Sequence, residues 1–192
     1  MLTTTVSMVP FLVLLGTMLS AEDRVLFEFA SPDASKDWQS VNDGVMGGVS
    51  EGRSKITENK TLEFFGKLSL ENNGGFASIR SRPKKLGLAK GDAIVARLRG
   101  DGREYTLNLY VARPLTAFSY RASFKTTAGE WVDVRIPLDK FVATSFGRIV
   151  LNAQPLNPNE ITSVGFLLSD KKVGPFKLEI EWIKVSPTEP PK

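Results

Sequence analysis

Histidine and cysteine are both absent from the 192 residues of the chain. The first absence removes Ser-His-Asp and Cys-His catalysis, together with the commonest metal ligand. The second excludes disulfides, zinc–thiolate sites and iron–sulfur clusters, so no covalent staple supports the core. Carboxylate chemistry and hard-cation binding survive these cuts, and little else does. Long blocks of like charge are missing as well. The net charge is +4, and the arginines alternate along the chain with few aromatics between them, so no nucleic-acid partner is expected. No internal repeat is visible, and no stretch reads as an amphipathic helix of useful length.

What is present fits one folded domain. Hydrophobic residues make up 42% and charged residues 24%, the balance of an ordinary globular chain long enough to bury a real core. An uncharged run from Val6 to Leu19, including Phe11 to Leu15, precedes the small pair Ser20-Ala21. That pattern predicts a signal peptide or N-terminal hydrophobic segment over 1–21, too short for a comfortable membrane span. It therefore predicts an exported domain, periplasmic or extracellular, or a membrane-anchored one if the segment is retained. The lack of arginine there argues against a mitochondrial presequence. The folded domain is expected over 22–186 and a frayed tail over 187–192.

From Arg24 onward the hydrophobic period is two. Strand-like runs begin with Val25 to Phe29, Thr61 to Leu70, Gly75 to Arg80 and Ala93 to Arg99. They continue with Tyr105 to Val111, Ser119 to Thr126, Glu130 to Ile136, Ile161 to Leu168 and Phe176 to Val185. Turn clusters such as Asn72-Asn73-Gly74-Gly75 and Gly100-Asp101-Gly102 separate them. The expectation is an all-β chain folded as a two-sheet antiparallel β-sandwich of the jelly-roll kind.

A two-residue turn at Asp101-Gly102 predicts a hairpin in which Leu98 faces Tyr105, Ala96 faces Leu107 and Ile94 faces Leu109. Arg99 then meets Glu104 across the strands. In that register Arg97, Arg99, Asn108 and Tyr110 project from one polar face. Arg121 joins them if Tyr120, Ala122 and Phe124 turn inward. Such a face suits an anion, a sugar hydroxyl array or a protein, and equally a solvated sheet surface.

The most distinctive stretch is Asp37-Trp38-Gln39-Ser40-Val41-Asn42-Asp43-Gly44-Val45-Met46-Gly47-Gly48-Val49-Ser50. Downstream follow Phe65-Gly66-Lys67-Leu68-Ser69-Leu70-Glu71-Asn72-Asn73-Gly74-Gly75-Phe76-Ala77-Ser78, Arg99 to Tyr105, Glu130-Trp131, Ile136-Pro137 and Gly174-Pro175-Phe176. In this order, from about Phe27 to Val185, they resemble the complex I intermediate-associated protein 30 family. The resemblance implies a galactose-binding-like β-sandwich similar to carbohydrate-binding modules. It also implies a non-catalytic role, since mitochondrial relatives act as assembly chaperones for respiratory complex I and plant relatives act in chloroplast gene expression.

Each motif also has a local reading. The glycine pairs Gly47-Gly48 and Gly74-Gly75 allow positive φ or a close backbone approach. Asp43 can cap the turn after it, while Trp38 and Met46 are expected in the core. The loop from Asn42 to Ser50 is a candidate recognition edge. Candidate partner- or ligand-binding residues are therefore Asn42, Asp43, Met46, Arg97, Arg99, Asn108, Tyr110 and Arg121. A protein partner is expected, with carbohydrate as the alternative, and no cofactor. Hydrolysis by Asp43 with Asp101 would need two carboxyls at a suitable separation. A structural calcium held by turn carboxylates such as Asp43, Asp101 or Asp170 is an open alternative, although no loop has the dense oxygen spacing of an EF-hand.

Overall fold

The computed structural model describes residues 22–112 and 118–187. The apolar segment 1–21 and residues 188–192 of the expected tail lie outside the described residues, whereas Pro187 still belongs to a strand. The strands are β1 (Arg24–Glu28), β2 (Trp38–Ser40), β3 (Glu51–Ile56), β4 (Leu62–Leu68), β5 (Ala77–Ser81), β6 (Asp92–Arg99) and β7 (Glu104–Val111). They continue as β8 (Phe118–Lys125), β9 (Trp131–Pro137), β10 (Val142–Ser145), β11 (Arg148–Ile149), β12 (Ile161–Leu168) and β13 (Gly174–Pro187). Short 3-10 turns are the only helical pieces among the described residues.

Two antiparallel sheets face each other. The first runs β3-β4-β13-β6-β9, with β1 also paired to β13; the second runs β11-β10-β8-β7-β12-β5-β2. β13 is long enough to pair β4 along Gly174–Ile180 and β1 along Trp182–Val185. The core lies between the sheets. Ile94, Ala96 and Leu98 enter it from β6 and Tyr105, Leu107 and Leu109 from β7, all at most 1% exposed. Trp38 packs there too, 5.4 Å from Phe27 and 6.3 Å from Phe166 between ring centroids.

The expected β6–β7 hairpin does not form. β6 pairs β13 and β9 in the first sheet, while β7 pairs β12 and β8 in the second. Residues 100–103 therefore cross from one sheet to the other. The type I′ turn that a two-residue hairpin favours needs positive φ at both central residues, and only Gly102, at 86°, has it here. The crossover is pinned by Thr126, whose Oγ1 accepts from the Gly102 N–H at 3.1 Å and donates to the Arg103 carbonyl at 2.9 Å. Arg103 is held more firmly still, forking onto Asp170 at 2.6 and 3.0 Å with further bonds to the Lys172 and Pro175 carbonyls.

The error has a simple origin. A period-two pattern decides which face of a strand is buried, not which strand lies beside it. In a sandwich the inner faces of two strands are equally apolar whether they are neighbours or stand across the core. The predicted Arg99–Glu104 contact falls with the hairpin. Arg99 instead binds Glu179 of β13 at 2.6 Å, and Glu104 lies opposite Lys125 of β8.

Candidate functional site

The expected site residues fall into three separate places. Asn42, Asp43 and Met46 sit on the loop between β2 and β3. Arg97 and Arg99 lie on the outer face of the first sheet. Asn108, Tyr110 and Arg121 lie on the outer face of the second, on the far side of the core. The single polar face expected from the hairpin register is therefore two faces pointing in opposite directions.

The loop is organised around one carboxylate. Asp43 is fully buried, and it accepts backbone N–H bonds from Ser50 at 2.9 Å, Gly75 at 2.7 Å and Phe76 at 3.2 Å. Burial alone would raise its pKa, but the bonds from Ser50, Gly75 and Phe76 outweigh this and hold it below 3.8. The glycines around it are required by space: a Cβ on Gly48 would lie 2.6 Å, and one on Gly74 2.6 Å, from an Asp43 carboxylate oxygen. Asn42 adds two more ties, donating to the Gly52 carbonyl at 3.0 Å and accepting from Ser78 N–H at 3.3 Å. With the polar groups turned inward, the apolar ones turn out. Val45 is 76% exposed and Met46 58%, with Val49 also exposed on the same loop. The expectation that Met46 lies in the core is thus corrected, whereas Trp38 is buried as expected. Hydrophobicity alone assigned Met46 inward, and the Asp43 clamp overrides it.

On the first sheet, every guanidinium of the predicted pair is neutralised. Arg97 bonds Asp133 at 2.9 Å and Glu181 at 2.8 Å, and Arg99 bonds Glu179. The hydrogen bond to Asp133 chiefly holds the Arg97 pKa above its ordinary value. Trp131 lies under both cations, 4.8 Å from Arg99 and 5.9 Å from Arg97. Together with Thr61 they line an open groove of ≈ 290 Å³. Its aromatic floor is covered by guanidinium and its charges are paired within the protein.

The second sheet is arranged differently. One row of its outer face reads Gln39, Arg80, Gly165, Asn108, Arg121 and Val142 across six strands in register. Gly165 leaves the floor low: a Cβ there would come 3.0 Å from the Tyr110 ring and 2.5 Å from the Ile79 carbonyl. Arg80 stacks on Tyr110, its guanidinium carbon 3.8 Å from the ring centroid. Arg121 donates from Nε to Ser119 Oγ at 3.1 Å. Asn108 is completely buried; neither amide atom meets a partner at full hydrogen-bond geometry, though the side chain lies near enough to the Tyr110 hydroxyl to favour the phenolate. Among the described residues, no carboxylate pairs with Arg80 or Arg121. Burial pushes both guanidinium pKa values down and the Tyr110 phenol up, while each guanidinium favours the phenolate by its charge. Arg80 was missed from sequence because the expected run stopped on it, whereas the strand continues to Ser81. Its alternation with Ser78 already placed it on the outer side.

No nucleophile–base pair emerges at these places. Asp43 is consumed by its three donors, and Asp101 by the Arg103 and Lys177 N–H groups and the Tyr105 hydroxyl. Among the described residues no group of three or more Asp or Glu side chains gathers where a metal could sit.

Comparison with known proteins adds ancestry to this geometry. The family model for complex I intermediate-associated protein 30 matches residues 27–180. The mouse mitochondrial complex I intermediate-associated protein 30 is 31% identical over 89% of this chain and 58% of its own length. The Drosophila melanogaster protein of the same name is 27% identical over 84% of this chain and 62% of its own. The chain thus spans less than two thirds of these relatives. Among solved structures, a family 11 carbohydrate-binding module from Clostridium thermocellum, bound to a β-1,3-1,4-mixed-linked tetrasaccharide, superposes with a TM-score of 0.63 at 18% identity. That match covers 86% of this chain and 96% of the module. An exo-β-agarase matches with a TM-score of 0.57 at 11% identity over 87% of this chain and 25% of the agarase. These structures establish the fold, the galactose-binding-like β-sandwich. The curated relatives overturn the expected periplasmic or extracellular location, since they are mitochondrial. The apolar run behind that expectation measures hydropathy, and hydropathy does not name a compartment.

Proposed function

Because the chain belongs to the complex I intermediate-associated protein 30 family, we propose that it is a non-catalytic binding domain that holds a protein partner during assembly of respiratory complex I. The observation that carries this reading is the clamped loop, in which a buried carboxylate fixes the backbone while Val45 and Met46 stand exposed. A preorganised apolar loop loses little conformational entropy on docking, which is what a protein contact site requires. Exposed Met side chains also adapt to partner surfaces at low cost.

Carbohydrate binding receives less support from the residues than from the fold. Sugar platforms present aromatic faces, and here both the Trp131 and Tyr110 rings are covered by arginine. The test is retention of complex I subunits from detergent-solubilised respiratory membranes on the immobilised chain. Met46→Asp and Val45→Asp should each abolish retention while leaving the melting temperature unchanged. Full retention by both variants would refute the assignment of the loop.

A further inference from the structure

Two half-buried arginines without a carboxylate stand apart from the paired arginines elsewhere on the molecule. Arg97, Arg99 and Arg103 all find carboxylates at 2.6–2.9 Å. Arg80 and Arg121 have none among the described residues, although burial lowers the pKa of each. Charge removed from water without a partner is costly, and an anion supplied from outside relieves it. Beneath them Asn108 lies at zero exposure with no fully formed hydrogen bond, its nearby Tyr110 hydroxyl notwithstanding, a second sign that this floor has polar capacity to spare.

The rim on one side is apolar. Val142 is paired opposite Arg121 and Ile149 opposite Thr144, and they are 46% and 66% exposed. The turn after β10 carries Phe146, 76% exposed, and Gly147 in the same turn lies beside the Arg121 guanidinium, where a Cβ would come 3.9 Å from Nη1. Cationic donors and exposed apolar side chains are thus contiguous on one face. We propose that the outer face of the second sheet binds the phosphate group of an anionic phospholipid at a membrane surface, with Arg80, Arg121 and the Tyr110 hydroxyl taking the phosphate oxygens and Phe146, Ile149 and Val142 entering the acyl boundary. Arg80 and Arg121 flank Gly165 and Asn108 in the row, with the Tyr110 ring beside Gly165 and stacked under Arg80, and two guanidinium forks with a phenol nearby suit the several oxygens of a phosphate group. The Asn108 amide gains a partner once the side chains above it open to admit an oxygen. This is peripheral contact: no helix among the described residues is long and apolar enough to cross a membrane.

The experiment is vesicle co-sedimentation of the full chain, with phosphatidylcholine alone and with added phosphatidic acid, alongside thermal shifts with glycerol phosphate at matched ionic strength. Binding should require phosphatidic acid and weaken with salt. Arg80→Gln with Arg121→Gln should weaken it roughly thirtyfold, at about fivefold per surface cation. Phe146→Ser should weaken it roughly tenfold through lost apolar insertion. Arg97→Gln, on the opposite face, should leave it unchanged and serves as the control for folding and overall charge. Equal binding to both vesicle types would overturn the proposal. So would a thermal shift with glycerol phosphate without vesicle binding, because the site would then serve a soluble phosphate. Undiminished binding by the double variant would overturn it too. Loss of vesicle binding leaves the Met46-dependent retention of complex I subunits untouched, so the two readings fail separately.

Discussion

Replacing Asp43 by alanine should be the most damaging single change on the exposed end of the sandwich. Three backbone donors lose a charged acceptor at once. The Ser50 N–H is buried and cannot recruit water, so it bears a penalty of about 2 kcal/mol. Gly75 and Phe76 are half-exposed and can be rehydrated, at about 0.5–1 kcal/mol each. The sum is about 3–4 kcal/mol, a large part of a typical domain stability. For a chain of this size that corresponds to a fall in melting temperature of about 10 °C. Denaturant melts with the slope unchanged would show that stability alone had moved. Acid adds a second signature. The carboxylate is held below 3.8 in the folded chain, so its contribution is complete above that value and lost as pH falls through the lowered native pKa. Wild type should therefore lose stability steeply below pH about 4, and Asp43→Ala less steeply. A variant melting within about 3 °C of wild type, or sharing its acid profile, would refute the clamp.

Three further outcomes follow from other contacts. Arg103→Met should cost about 3–5 kcal/mol by stranding the buried Asp170 carboxylate, measured by urea unfolding; a cost below about 1 kcal/mol would show the fork to be dispensable. Gly165→Ala should cost about 1–3 kcal/mol, because the new methyl meets the Ile79 carbonyl and the Tyr110 ring, and a neutral result in thermal melts would mean that the floor gives way easily. In alkaline ultraviolet titration, Tyr105 and Tyr110 should resist ionisation well above 10, being raised chiefly by burial. Complete ionisation of the folded chain at the ordinary midpoint would contradict their burial.

Which side of each strand is buried was legible in the sequence, and that was enough for the fold class. Ile94, Ala96 and Leu98 turn inward as their alternation requires, and so do Tyr105, Leu107 and Leu109. Strand partners were not legible, because the same alternation satisfies a hairpin and a crossover. The decisive contacts, Arg103 with Asp170 and Arg99 with Glu179, lie far apart in sequence, and no local pattern announces them. Strand β3 went unseen for another reason. It is an edge strand whose inner side is Gly52, Ser54 and Ile56, too small and polar to show a hydrophobic period. The candidate site split because its grouping depended on the hairpin. Arg97 and Arg99 were correctly read as outward, but outward from the other sheet.

The placement of β13 has a consequence for how the chain is made. The last of the described strands sits in the interior of the first sheet, hydrogen-bonded to β4 and β1 on one side and β6 on the other. Until Gly174–Pro187 has left the ribosome, those three earlier strands lack their common neighbour, and their inner faces stay uncovered or in the care of chaperones. A stop codon even a few residues before Gly174 should therefore yield no smaller folded remnant, only material for proteolysis.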